Sequence, residues 1–226
     1  MDKVVVSWAG GKDSSLAYYR AMLTGYEISY LLNFITQDAK TSMTHGLSSE
    51  LLRSQAGAIG TPIIQRRTTW VSYEQELKNT INELKEEGIQ GMVFGEIDLQ
   101  EHKDWIERVC KEVNIKSMLP LWGDKPEKIL NDLVKKGFKA IVVSVRDKIP
   151  GKEWLGRQIN KEFIEKLYYL KEKFGFHPCG ENGEYHTFVV DGPLFRDAID
   201  ILSVDKLLQQ GQWFLKISKY KMRKKK

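Results

Sequence analysis

The residues Ser7-Trp8-Ala9-Gly10-Gly11-Lys12-Asp13-Ser14-Ser15 join a short apolar run, Val4-Val5-Val6, to the start of a helical pattern. Paired glycines let a backbone approach a ligand closely. A helix start presents unpaired N–H groups and a partial positive charge. Lys12 adds a cation, and Ser7, Ser14 and Ser15 add hydroxyls. This is chemistry suited to phosphate, although the spacing is neither GxxxxGK[ST] nor GxGxxG. Asp13 sits badly beside an anion unless it holds Mg2+ or caps the helix. A plain strand-to-helix turn with Asp13 as N-cap accounts for the same residues.

A second stretch is rich in groups that bind or move protons. It runs His177-Pro178-Cys179-Gly180-Glu181-Asn182-Gly183-Glu184-Tyr185-His186-Thr187. A polar, glycine-rich loop before a strand can bring carboxylates to a substrate. His177, Cys179, Glu181 and His186 are all of metal-ligand type, but their spacing matches no common zinc pattern. His45 lies in the loop after a second strand-like run, and Gly95-Glu96-Ile97 ends another strand. His102 and Asp104 open a helix, where capping accounts for them equally well. Trp8, Trp105 and Trp122 read as packing residues. Cys110 falls on a helical apolar stripe and reads as core.

Gly10-Gly11-Lys12-Asp13-Ser14 after a first strand resembles the PP-loop of the N-type ATP pyrophosphatases. Met43-Thr44-His45-Gly46, Phe94-Gly95-Glu96-Ile97, His102 through Trp105, Pro120-Leu121-Trp122, the 179–188 stretch and Asp191-Gly192-Pro193-Leu194-Phe195 follow in order. Together they resemble the diphthine–ammonia ligase (diphthamide synthetase, ATP-binding) family up to about residue 201. The resemblance implies a Rossmann-like fold and cleavage of ATP between the α- and β-phosphates. It implies an acceptor carboxylate activated as an acyl-adenylate and then amidated by ammonia. In that family the acceptor is diphthine on translation elongation factor 2. The implied ATP contacts are Ser7, Gly10, Gly11, Lys12, Asp13, Ser14, Ser15, His45, Gly95 and Glu96, with Mg2+ on Asp13. The implied acceptor contacts are Glu181, Asn182, Glu184, His186 and Thr187. Lys12, Asp13, Glu184 and His186 are the implied catalytic set. In it Glu184 holds Mg2+ or positions ammonia, and His186 shuttles a proton. The chain departs from the family's usual pattern at Ala9, Asn182 and His186, where serine, glycine and glutamate are expected. These departures leave open an acceptor of another kind, a small metabolite or a tRNA base. A non-catalytic nucleotide-binding sensor is the remaining alternative.

These loops need elements to hold them. Apolar runs at 4–8, 28–34, 61–65 and 91–97 and an extended piece at 117–121 alternate with helical patterns from about 13, over 47–59, 72–87 and 101–113. Ser72 with Gln75 reads as a capping box. Strict alternation predicts an α/β fold with a doubly wound, mostly parallel sheet. Ligands bind such sheets at the carboxyl ends of the strands, where strand order reverses. From about 125 the pattern changes: a helix opened by Asp124 and Glu127, a strand over 139–145, a helix over 160–174 and a strand over 187–190. We expect residues 1–124 to form the ATP-binding domain and 125–215 a smaller α+β substrate-binding domain. Residues 216–226 are expected to be a disordered basic tail.

At 226 residues, with 42% hydrophobic and 29% charged residues, the chain is long enough for a substantial core and is not of disordered composition. The net charge of +5 misleads: seven lysine and arginine residues fall in 216–226, leaving −2 for the rest. The body is therefore not a basic nucleic-acid-binding domain, whereas the tail could contact RNA weakly. No apolar run approaches the roughly 20 residues that span a bilayer. Two cysteines and no export signal read as cytoplasmic. An oligomer remains open.

Overall fold

The computed structural model describes residues 1–225. Strands β1 (Lys3–Ser7), β2 (Glu27–Ile35), β3 (Ile63–Arg67), β4 (Ile89–Val93) and β5 (Lys116–Met118) alternate with helices α1 (Lys12–Leu23), α2 (Ser49–Ile59), α3 (Tyr73–Glu86) and α4 (Gln100–Glu112). The five strands form one parallel sheet in the order β3-β2-β1-β4-β5. The order reverses between β1 and β4, so the loops leaving their carboxyl ends open onto one crevice. This is the doubly wound sheet that the alternation predicts.

Both faces of the sheet are covered, which is why its strands read as near-continuous apolar runs. Val5, Leu32, Phe34 and Met92 pack with Leu77, Ile81 and Leu84 of α3 and Ile106, Val109 and Cys110 of α4. Val4, Val6 and Leu31 point the other way, onto α1, α2 and the C-terminal half. Cys110 is the core residue its stripe suggests.

The C-terminal half carries α5 (Pro126–Lys135), β6 (Lys139–Arg146), α6 (Lys161–Phe174), β7 (Tyr185–Asp191), β8 (Asp197–Gln209) and β9 (Gln212–Lys224). Its sheet is antiparallel, in the order β7-β6-β9-β8. Val142, Phe163, Leu167 and Phe188 join Leu16 and Leu52 in one continuous core, so the two halves share their interior.

Three local expectations are corrected. The tail expected to be disordered from 216 lies instead in β9 as far as Lys224, paired with β8 from Asp197↔Lys224 to Asp205↔Lys216. Tyr220 and Ile217 pack against the core, so alternation of apolar and basic residues makes this a strand despite its charge. Lys226 lies outside the described residues. Ser72 does not cap α3 with its side chain; its Oγ accepts from the Thr69 N–H at 3.1 Å. Asp124 does not open α5, which starts at Pro126 after Lys125; its carboxylate meets Arg20 and Lys128.

Candidate active site

The loop after β1 turns through Gly10, whose φ of +77° suits glycine, and enters α1 with Gly11 as an extended N-cap. Gly11 has no side chain to cap the helix. Thr187 of β7 does so instead, its Oγ1 accepting the Lys12 N–H at 3.0 Å. Asp13 is therefore the second helical residue rather than the cap. Gly95, in the loop after β4, lies against the same helix start. A Cβ there would come within 2.9 Å of the Asp13 carbonyl carbon and the Ser14 nitrogen.

A cavity of about 280 Å³ opens at this junction. Its wall includes Ser7, Gly11, Lys12, Asp13 and Ser14 from the first loop, and His45, Gly95 and Glu96 from the next two. Glu181, His186 and Thr187 join them from the C-terminal half. Most of the residues singled out in the sequence thus meet in one place. Four do not line it. Gly10 is turned inward, its carbonyl accepting from Gln55 Nε2 and the Val189 N–H. The Ser15 side chain is wholly buried in α1. Glu184 is buried as the clasp of its own loop: its carboxylate accepts from the His177 N–H at 2.8 Å and the Asn182 N–H at 3.0 Å. Asn182 Nδ2 donates to the same carboxylate at 3.2 Å. In this arrangement the Glu184 carboxylate holds the turn, with Asn182 as its partner, and does not line the cavity.

Lys12 is also committed. Only 3% of it is exposed, and its Nζ donates to Asp13 Oδ2 at 2.7 Å and to the Cys179 carbonyl. It lies 5.0 Å from the centre of the Tyr185 ring. Burial alone would lower its pKa, but Asp13, Tyr185 and Cys179 hold it above its ordinary value. The lysine thus ties α1 to the 179–185 loop. Burial raises the pKa of Asp13 against the pull of Lys12. The Oδ1 of Asp13 is buried without a hydrogen-bond partner among the described residues. An orphaned carboxylate oxygen on the cavity wall fits a divalent cation, so Asp13 is the residue that would hold Mg2+. Glu181 is pushed up to about 8 by burial first and then by Asp13, Glu96 and Asp98.

His45 and His186 stack with ring centres 4.6 Å apart and 30° between planes. His45 Nδ1 lies 3.2 Å from the Thr187 carbonyl, so that nitrogen carries the proton. Its Cε1 fills the space where a Cβ on Gly11 would sit, 2.6 Å away. Burial, then His186 and Lys12, pushes the pKa of His45 down; burial and Lys12 push His186 down to about 4. The pair is neutral at pH 7.

Several wall residues went unrecognised in the sequence. Asn33 is buried and donates to the Trp8 carbonyl at 2.8 Å. Its signal was one amide inside the apolar run Leu31-Leu32-Asn33-Phe34-Ile35. Tyr73 also lines the cavity, pushed up to about 12 by burial and Glu96; no local signal marked it. His102 Nδ1 meets Glu96 Oε2 at 2.9 Å. The residues of metal-ligand type in 177–186 do not converge on a metal. Among the described residues no three His, Cys, Asp or Glu side chains do so. His177 Nδ1 instead accepts from the N–H groups of Cys179 and Glu181.

Comparison with known families matches residues 2–117 to the diphthamide synthase N-terminal domain and residues 125–223 to its C-terminal domain. The chain belongs to the diphthamide synthase family. A diphthine–ammonia ligase of Schizosaccharomyces pombe is 30% identical over 216 residues, 87% of this chain. This chain spans only 36% of that relative's length. The diphthine–ammonia ligases of Rattus norvegicus and Homo sapiens are 26% and 24% identical, over 96% of this chain and 89% of their own. A solved structure titled as a predicted subunit of a tRNA methyltransferase from Methanocaldococcus jannaschii is 19% identical, with a TM-score of 0.46. It covers 85% of this chain and 98% of its own. Among the described residues of this family member, no helix is long and apolar enough to cross a membrane.

Proposed function

We propose that this protein is an ATP-dependent, AMP-forming carboxylate–ammonia ligase whose acceptor is diphthine on translation elongation factor 2. The observation that carries this reading is the single cavity that joins the glycine loop at the start of α1 to the 179–187 segment. Family membership and the names of the relatives support it. The N–H groups at the start of α1, beside Ser14 and Gly95, suit the phosphates of ATP. Mg2+, held at Asp13, would neutralise phosphate charge.

In the first step an acceptor carboxylate oxygen bonds to the α-phosphorus, and the bond from that phosphorus to the bridging oxygen breaks, releasing pyrophosphate. In the second, the nitrogen lone pair of ammonia attacks the acyl carbon, and the carbon–oxygen bond to AMP breaks, leaving an amide. The proton shed by nitrogen passes to a carboxylate on the wall. Glu181 lines that wall, and its ionised form is the group we assign to take that proton. Splitting the condensation in two lowers each barrier.

The test combines purified protein, ATP, Mg2+, ammonium and diphthine-bearing elongation factor 2. AMP release and the mass change from carboxyl to amide are followed together. Release of AMP that depends on the factor, with that mass change, is expected. Asp13→Asn is expected to lose at least about a hundredfold in AMP formation while keeping its circular dichroism spectrum. AMP formed without any change in the factor would overturn the acceptor. A fully active Asp13→Asn would overturn the glycine-loop site. His186 gives the second acceptor class its one specific support, because it stands on the cavity wall where the family's usual pattern has a glutamate.

A further inference from the structure

The segment before β7 opens with two turns, over 177–180 and 180–183, closed by backbone hydrogen bonds of 2.8 and 3.0 Å. In the first, the His177 ring folds back over its own turn. Its Nδ1 accepts the Cys179 N–H at 3.2 Å and the Glu181 N–H at 3.3 Å. A ring nitrogen that accepts from two N–H groups carries no proton, so the proton of this imidazole is on Nε2. Nε2 donates it to Asp98 Oδ2, 3.0 Å away. Asp98 belongs to the other half of the molecule, in the loop between β4 and α4. One ring thus joins the two loops that flank the cavity.

Neither His177 nor Asp98 lines the cavity, but each stands two residues from one that does, Cys179 and Glu96. The segment has other anchors, and they act elsewhere. Glu184 clasps the N–H groups of His177 and Asn182, and Lys12 takes the Cys179 carbonyl. The Glu181 N–H is left to the His177 ring. Glu181 is the wall carboxylate assigned above to take the proton of ammonia. Such a transfer needs the two groups within hydrogen-bond reach, and a displacement of about 1 Å is enough to slow it. The His177–Asp98 bond is also outside the core, with side chains 17% and 42% exposed, so removing it leaves the packing of the two halves intact.

We infer that His177 is a positioning residue: held by Asp98 on one side and by the N–H groups of Cys179 and Glu181 on the other, it sets the place of Glu181 for the ammonia step. This rests on the ligase reading and deepens it. Adenylation depends on the glycine loop and Asp13, which this bond does not touch. Amide formation depends on Glu181, which it does. Asp98 acts here as a hydrogen-bond acceptor, a part that an asparagine oxygen can take. It also lies close enough to act on Glu181 by charge, and the asparagine variant separates the two effects.

The first readout needs no turnover. Nitrogen-15 spectra of the imidazoles of the full chain report the tautomer, with His177→Asn identifying the signal among the four histidines. An Nε2–H tautomer whose signal moves in Asp98→Ala is expected. The second readout uses diphthine-bearing elongation factor 2. Acceptor-dependent exchange of labelled pyrophosphate into ATP follows the first step, and the amide formed on the factor follows the second. Asp98→Ala and His177→Asn should keep exchange within about twofold and lose at least about tenfold in amide formation. The double variant should be no worse than either alone, since all three lack the same bond. Asp98→Asn should stay within about threefold of the parent. An Nδ1–H tautomer, equal losses in both steps, or an Asp98→Asn as poor as Asp98→Ala would each overturn the inference. Amide formed by Asp98→Ala at the parent's rate would remove the positioning role and leave the ligase reading standing. A parent that makes no amide, with the Nε2–H tautomer found, would overturn the ligase reading and the role assigned here, and leave only the fastening of the two loops.

Discussion

His186 and His45 show what burial does to a titratable pair. Each is desolvated, and each faces Lys12, so protonation is disfavoured in the folded chain. Above about pH 6.5 both are neutral folded or unfolded and contribute nothing to pH dependence. As pH falls from 6.5 toward about 4, the unfolded chain takes up protons that the folded one refuses, so stability is lost across that window. His186→Phe keeps the stack but cannot protonate. Its urea midpoint should therefore fall less between pH 7 and pH 4.5 than that of the parent, and equal falls would refute the account. His186 was legible as a candidate because it stands in a dense polar motif. His45 was singled out as well, but the stack between the two was not legible, because nothing in either local sequence names the other. The same motif does not tell its two glutamates apart. Two glutamates three apart look alike in sequence, yet only Glu181 reaches the cavity, since Glu184 must satisfy the donors of its own turn.

Helix α1 begins without a capping side chain of its own, and the deficit is met from another element. Thr187 accepts the Lys12 N–H, and the loop after β4 packs Gly95 against the first turn. The glycine loop is thus shaped by β4 and β7 as much as by Gly10 and Gly11. Gly95→Ala would press a methyl group onto backbone atoms that cannot rotate away. We expect a loss of about 1–3 kcal/mol in unfolding free energy together with weakened ATP binding. Chemical denaturation and calorimetry with ATP read the two effects, and an unchanged ATP affinity would show that the contact does not shape the phosphate site. The existence and order of strands and helices through β5 followed from apolar periodicity. The capping box at Ser72 did not form, because Thr68 and Thr69 offered the hydroxyl nearer partners.

The two halves are one molecule at their interior. One core runs from Leu16 and Leu52 to Val142 and Phe188, and the cavity takes its wall from both sides. Strand β9 closes the second sheet: Tyr220 meets Ser54 of α2 at 2.9 Å, and Lys225 pairs with Asp191. Deleting residues 216–226 should therefore leave β8 unpaired from Asp197 to Asp205 and expose an apolar edge. Loss of soluble, cooperatively melting protein is expected. A truncated chain with the parent's melting curve would restore the reading of this segment as a free tail.

Local physics was enough for the parallel sheet, the phosphate-suited loop after the first strand and the polar loop before β7, because periodicity and turn chemistry act over a few residues. Packing of the halves decided the rest. It placed Thr187 over the start of α1, stacked His186 on His45, locked Lys12 to the Cys179 carbonyl and drew Tyr73 to the wall. These contacts join residues far apart in the chain, and their geometry depends on how two apolar surfaces fit, which no short window of sequence encodes.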